Sequence, residues 1–591
     1  MSSFNLLISF DYNNNKYKIE RENFNYPFKN YQYLNFKVSI IGNPIIGDSI
    51  SFDKVIPIVK IFIEKGCEKI DHFNLINGEF LIVIENQKDN SIFIINDRFA
   101  SIPIYYLEYN QKIFLSNSYI NLRKSLKINF NINKLSLFEF LYFKRLHCED
   151  TFDDRILFLK SGSVLSFKKH IKISQYYENK ILNNNNSLFE NSKLLNFHLE
   201  RSIKRKINSN FLDYGLFLSG GLDTRFITAI LNNLDNNKDI KYYTLGWDKN
   251  GEYDVTKVLC NIIGSKNIFM KIKDNYYELY NQQKLYISNG MHNMYSIIFL
   301  NLQEFIEPQT KVLFHGHGLD YMFQGMYVPA INYKLFGKKL FIKKLIKLSY
   351  ENITKYYINN ISYKVFNNKI KSIIKKKYYD MYMNEIENKI NNLVSDSNSF
   401  TDDPMKSWEY IINHNLSRHY SYTDVLGIGS NLEQRKIAND NDLFNFYMSL
   451  KPEQRIDGKI IKLSLLDTNK DLANLISANT RYKISASSYE ITMNNFKNKL
   501  NYLLSNNKNY LFPQGKRRTW PNEFEILKNS KYFIDKINNI GNSDCLREYL
   551  DFINFDKLNL QTKSYLETNK NNDFAQFIFL LFTLENLLKE I

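Results

Sequence analysis

A chain of 591 residues is too long for a single hydrophobic core and implies two or more domains. Apolar residues (44%) and aromatics (15%) are ample for globular cores, and four scattered cysteines without any Cys-x-x-Cys exclude a zinc knuckle or a disulfide framework. The formal net charge of +17 admits a polyanion or an anionic substrate, but the lysines are spread as solvated helix faces and no nucleic-acid fold signature accompanies them, so no nucleic-acid partner is expected.

The first residues carry no basic stretch followed by an apolar core, so no signal peptide is expected. The longest apolar run, residues 577–582, is too short to span a bilayer and reads as part of a buried terminal helix. A reducing, cytoplasmic setting without a membrane partner follows as the expectation. The frequent asparagines, such as the run 183–186, fall in turns and read as compositional bias.

Residues 1–175 read as β-rich. Short apolar or alternating runs at 4–10, 38–41, 79–85, 91–95, 102–107 and 112–115 are separated by turn residues at Asn13-Asn14-Asn15, Lys88-Asp89-Asn90 and Asn110-Gln111. This predicts a layered β domain with a few helices. Three stretches then follow in order: Leu75-Ile76-Asn77-Gly78-Glu79-Phe80, Asn96-Asp97-Arg98-Phe99-Ala100-Ser101-Ile102-Pro103-Ile104-Tyr105-Tyr106, and Phe114-Leu115-Ser116-Asn117. Together they resemble the N-terminal half of the asparagine synthetases, the class II glutamine amidotransferase domain with its Ntn-hydrolase-like α+β fold. The resemblance implies that the Asn-Gly-Glu stretch helps to hold glutamine. It also implies an N-terminal cysteine nucleophile, and position 2 is Ser2 instead. The family's substrate arginine loop has no counterpart in Ile46-Gly47-Asp48-Ser49. The expectation is a retained domain without glutaminase activity, in which Asn77 and Gly78 serve as hairpin-turn residues.

A helical period over 188–207 opens the second part, residues 188–591. Leu216-Phe217-Leu218 then runs into Ser219-Gly220-Gly221-Leu222-Asp223-Thr224, followed by a helix-period pattern at Phe226, Ile227, Ile230 and Leu234. This reads as strand, tight turn and helix N-terminus, where adjacent glycines and free N–H groups favour an anion. Ser219 and Thr224 add hydroxyls, and Asp223 needs a bridging cation, Mg²⁺, to face a phosphate. No lysine follows the glycines, which excludes a Walker loop. The stretch resembles the pyrophosphate-binding loop of the N-type ATP pyrophosphatases, so Leu218, Ser219, Gly220, Gly221, Asp223 and Thr224 are expected to bind ATP.

Residues 242–247 read as the next strand and 254–264 as the next helix, giving a doubly wound parallel sheet. In the resembled family the backbone of this second strand reads adenine, which points to Leu245. Lys311 to Phe314 forms another apolar strand and leads into His315-Gly316-His317-Gly318-Leu319-Asp320-Tyr321. It resembles the family's second nucleotide motif, adding His315 and Gly316 to the ATP set and Asp320 to Asp223 as metal ligands. The family's glutamate between the glycines is His317 here, either a base or inert, and the terminal glutamate is Tyr321. Residues 330–425 read as helical and basic. Asn431-Leu432-Glu433-Gln434-Arg435 corresponds to the family's Glu-x-Arg region, with Asp440 beyond it, and Gly458-Lys459-Ile460-Ile461-Lys462 resembles its Gly-x-x-Lys segment. That match makes Lys462 the cation on departing pyrophosphate.

The resemblance implies an ATP-dependent amide ligase that activates a carboxylate as its acyl-adenylate, with ATP and Mg²⁺ as cofactors, a carboxylate and an amine as substrates, and a homodimer as one permitted assembly. A non-catalytic nucleotide-binding scaffold and a genuine glutamine- or ammonia-dependent asparagine synthase are the alternatives.

Overall fold

The computed structural model describes residues 4–11, 16–23, 26–126, 128–168, 170–177, 184–207, 214–234, 240–335, 338–478, 482–504, 523–568 and 572–591. Ser2, the 13–15 turn and Asn183 therefore lie outside the described residues.

The amino-terminal part is two antiparallel sheets. One runs Leu157–Phe158, Tyr105–Tyr109, Lys112–Ser116, Phe4–Asp11, Lys16–Asn23; the other runs Ile171–Gln175, Ser163–Phe167, Ile92–Asn96, Asn77–Asn86, Phe36–Ile46, Phe28–Tyr33. The central strand Asn77–Asn86 explains the layering. Its side chains alternate, and both faces are apolar. Leu81 and Val83 join Leu6, Ile8 and Leu115 between the sheets. Ile82 and Ile84 join Val59 and Phe62 of the helix Ile56–Glu64 on the far side.

Asn77 and Gly78 are not a hairpin turn. They open this strand opposite Ile45 and Pro44. Gly78 has φ +85°, and a Cβ there would lie 2.4 Å from the Asn43 carbonyl oxygen. Close strand approach, not turn chemistry, selects this glycine.

The second part is built on a five-stranded parallel sheet, ordered Asn267–Lys271, Ile240–Gly246, Tyr214–Phe217, Val312–His315, Glu433–Lys436. The strand order reverses between Tyr214–Phe217 and Val312–His315. In such sheets a crevice opens beyond the carboxyl ends of the strands at that point. Helices enclose the sheet. The helix Leu188–Lys206 begins with a capping box between Ser187 and Glu190. The terminal helix Asn572–Glu590 buries Phe577 to Phe582 completely. The region expected to be wholly helical instead begins with an antiparallel ribbon, Ala330–Leu335 with Lys338–Leu345. Its Ile331-Asn332-Tyr333 alternation, in which both apolar residues are exposed and Asn332 is half-buried, is a strand period that the surrounding lysines mask. No helix among the described residues is long and apolar enough to cross a membrane.

The two parts are locked together by buried polar contacts. The Asn77 amide donates to Asp440 (2.9 Å) and its carbonyl accepts from the Asn441 N–H (2.8 Å). Glu79 pairs with Lys436 and accepts from Asn439 (2.8 Å). At the exposed rim Asp48 accepts from Arg201 (3.0 Å) and Arg205 (3.3 Å), and Arg205 also grips the buried Asp440. Gly78→Ala is expected to destabilise the protein by about 1–3 kcal/mol, the cost of a side chain in the left-handed region. The check is a denaturant or thermal unfolding curve, and an unchanged midpoint would contradict the close-approach account.

Candidate active site

The loop after Tyr214–Phe217 is shaped by its own hydroxyls. Ser219 Oγ and Thr224 Oγ1 lie 3.0 Å apart, the Gly221 N–H donates to Ser219 Oγ (3.2 Å), and Thr224 Oγ1 donates to the Ser219 carbonyl (3.0 Å). Gly221 then caps the helix Leu222–Asn233 in an extended conformation. Leu218 remains paired with the neighbouring strand, its N–H 2.8 Å from the Tyr243 carbonyl. Leu245 is buried in that neighbour opposite Met270. Just beyond it Trp247 stacks on Tyr277, with ring centroids 5.6 Å apart.

Two residues that the sequence pattern passed over hold this loop. The Glu252 carboxylate accepts from the Gly220 N–H (3.1 Å). The wholly buried Arg225 donates to four backbone carbonyls: Gly220 (2.9 Å), Leu472 (3.0 Å), Leu475 (2.9 Å) and Ile476 (3.1 Å). Burial holds its guanidinium below the usual arginine range, at about 10. The arginine straps the loop to the chain that follows the helix Lys459–Thr468. The signal that could have revealed it is its place as a charge in the first turns of an otherwise apolar helix.

The second loop meets the first. Gly316 approaches so closely that a Cβ there would lie 3.2 Å from Asp223 Cβ. Gly318, at φ +101°, turns the chain into the short helix Leu319–Phe323, whose first turn carries Asp320. Asp223 and Asp320 therefore face the same recess. Burial and then the Asp320 charge push the Asp223 carboxyl well up, and burial likewise raises Asp320. Gln324 donates to Asp223 (2.7 Å). Two like charges held together in a low-dielectric recess repel. This donor set suits a divalent cation.

His315 is buried at the strand end, with Nε2 3.0 Å from Gln434 Oε1, and burial holds it down at about 4. His317 has Nε2 3.0 Å from the Tyr321 hydroxyl, and burial followed by His315 holds it down at about 3. A neutral imidazole of that kind is a poor proton acceptor at neutral pH. No group of three or more His, Cys, Asp or Glu that could hold a metal is found among the described residues.

Lys462 is not drawn to the two aspartates. Its ammonium donates to the Ala486 carbonyl (2.9 Å), with Asp457, Lys343 and Glu490 as its electrostatic neighbours. Its helix nevertheless abuts the first loop's helix, since a Cβ on Gly458 would lie 3.5 Å from Leu222 Cδ2. In the first domain, Asp97 accepts from the N–H groups of Phe80 (3.1 Å) and Phe99 (2.7 Å), and Arg98 lies over the Tyr177 ring (4.2 Å). Those motif residues shape their own turn, and Asn77 and Glu79 are committed to the second domain.

Residues 53–178 match the family model for a glutamine amidotransferase domain, and residues 195–469 match the one for asparagine synthase. The chain belongs to the asparagine synthetase family. It is 25% identical over 219 residues to asparagine synthetase [glutamine-hydrolyzing] 1 of Bacillus subtilis (strain 168), an overlap of 34% of this chain and 32% of that protein. The chain thus spans about a third of the length of that curated relative. Among solved structures it is similar to the glutamine phosphoribosylpyrophosphate amidotransferase from B. subtilis complexed with ADP and GMP, at 8% identity and TM-score 0.17 over 47% of this chain and 61% of that one. A structure of the allosteric regulatory enzyme of purine biosynthesis matches at 5% identity and TM-score 0.19, over 55% and 70%. Overlaps this low add nothing to the site. The two matched regions correspond to the two architectures seen here, antiparallel sheets in the amidotransferase region and a parallel sheet with many helices in the asparagine synthase region.

Removing the repulsion between the two carboxylates is expected to stabilise the metal-free protein. Asp320→Asn should gain about 1–2 kcal/mol over wild type in EDTA, and Mg²⁺ should raise the melting temperature of wild type but not of the variant. Equal responses to Mg²⁺ would place the cation elsewhere.

Proposed function

We propose that the protein is an ATP-dependent amide ligase that activates a carboxylate as its acyl-adenylate, releasing pyrophosphate and then AMP. The supporting observation is the meeting of two strand-end loops at the sheet's reversal point, with Asp223 and Asp320 facing one recess. In this reading residues 1–175 form the amidotransferase-like domain and residues 188–591 the synthetase domain.

Each group then has a task. Ser219, Gly220, Gly221 and Thr224 cradle the triphosphate with N–H and hydroxyl donors at a helix N-terminus. Leu218, Leu245, His315 and Gly316 border the nucleotide. Asp223 and Asp320 would hold Mg²⁺, which neutralises phosphate charge when bound. Arg225 keeps the loop in register with the segment behind it, so the donors need no rearrangement during reaction. His317, kept neutral, donates or accepts a hydrogen bond beside the reacting carboxylate. Lys462 would exchange its Ala486 contact for the departing pyrophosphate, from a helix whose first residues lie beside the loop's helix.

The amine donor is a free or substrate-borne amine. Ser2 is a far weaker nucleophile than cysteine, and Asn77 and Glu79 serve the domain interface, so hydrolysis of glutamine by this chain is not part of the reading. A cytoplasmic location and a soluble small-molecule substrate complete it.

Carboxylate-dependent ATP–pyrophosphate exchange should be measurable across a panel of amino acids and short peptides. Asp223→Asn should abolish it, and Lys462→Met should lower kcat by about 100-fold or more, the scale of losing one charge-stabilising group. ATP binding without any exchange, across the panel, would favour the non-catalytic scaffold.

A further inference from the structure

The first three N–H groups of the 219–224 loop are already engaged. The Ser219 N–H donates to Thr224 Oγ1 (3.2 Å) and the Gly221 N–H to Ser219 Oγ (3.2 Å), so both are met within the loop. The Gly220 N–H between them is met from outside, by the Glu252 carboxylate on another helix (3.1 Å). We propose that Glu252 is a latch on the phosphate loop, a built-in anion that occupies the Gly220 N–H in the empty protein and is displaced by the phosphates of the incoming nucleotide. The proposal rests on the reading of this loop as an ATP site.

The local sequence aims the carboxylate. Asn250 caps the helix Gly251–Ile262, its side chain accepting from the N–H groups of Glu252 (3.0 Å) and Tyr253 (3.3 Å). Glu252 and Val255 are three residues apart and share a face of that helix. That face lies on the loop, since a Cβ on Gly220 would stand 3.5 Å from Val255 Cγ1. An acidic residue in a first helical turn ordinarily offsets the helix dipole, and the exposed Asp254 in the same turn is placed for that. Glu252 instead reaches across to the neighbouring loop.

The contact is built to be exchanged. Among the described residues no lysine or arginine pairs with Glu252, and burial pushes its carboxyl up while the Gly220 N–H works against that. A half-buried anion on one neutral donor loses little by turning to water. The Gly220 carbonyl, by contrast, is tied to the buried Arg225 (2.9 Å), so the loop keeps its place when the carboxylate leaves. A phosphate oxygen and a carboxylate repel when they compete for one N–H. The phosphate also gains the N-terminus of the helix Leu222–Asn233, which no side chain caps. One anion thus replaces another on binding, before any chemistry. The latch weakens every ligand that needs the Gly220 N–H and spares a ligand without phosphate.

Isothermal titration of the full-length protein with ATP, inorganic pyrophosphate and adenosine, each with Mg²⁺, tests this. Glu252→Gln keeps the size and the acceptor but not the charge. It should bind ATP and pyrophosphate about ten-fold more tightly than wild type, with adenosine affinity unchanged. Glu252→Ala, which removes the acceptor altogether, should shift affinity in the same direction, and an unfolding curve for each variant confirms that folded proteins are compared. A purely supporting role predicts the reverse, because a loop deprived of its outer contact would hold phosphate less well. Weaker or unchanged ATP and pyrophosphate binding in both variants, or an equal gain for adenosine, overturns the latch and leaves the ligase reading standing. Absence of ATP and pyrophosphate binding in wild type and both variants overturns the two together.

Discussion

Two carboxylates of like charge, Asp223 and Asp320, are held in one recess, and much of the second domain is arranged so that they must be. Each sits in the first turn of a helix that follows a parallel strand, and the two strands are neighbours at the point where the sheet order reverses. The two loops approach closely: a Cβ on Gly316 would lie 3.2 Å from Asp223 Cβ, tighter than ordinary contact. An isolated protein is penalised for this arrangement. In the proposed reading, a cation bound with the triphosphate would turn the same arrangement into affinity.

The recess is kept in shape from outside. Arg225 ties the Gly220 carbonyl to three carbonyls of the 472–476 segment, which fastens the 219–224 loop to the chain after the Lys462 helix. Glu252 fixes the same glycine from the opposite side through its N–H. The first domain contributes rigidity of another kind. Asn77 and Glu79 of a central strand reach across to Asp440, Lys436 and Asn439, immediately after the last strand of the parallel sheet. Residues that resemble a glutamine-holding motif have become part of a domain clamp.

The fold class was legible in the sequence because its signals are local. Alternating runs, a Ser-Gly-Gly-Leu-Asp turn after an apolar strand, and the matching Gly-x-Gly-x-Asp turn each specify a strand end without reference to the rest of the chain. The pairing of Asp223 with Asp320 was legible for the same reason, since both loops leave parallel strands at the same end. What escaped was tertiary. An Asn-Gly pair looks like a hairpin turn until Asn43 is known to lie 2.4 Å from where a Cβ would stand. The ribbon at 330–345 was hidden by lysines on a strand period. Arg225 and Glu252 act on backbone groups, which leave no trace in side-chain spacing. The Lys462 ammonium contact with Ala486 depends on a chain segment two dozen residues away, which the motif does not show.

Anomalous diffraction from crystals grown with ATP and Mn²⁺ tests the central claim most directly. The account predicts a manganese peak between the Asp223 and Asp320 carboxylates, with the triphosphate on the loop from Ser219 to Thr224. A metal peak that touches neither carboxylate, or a triphosphate bound away from that loop, would contradict it.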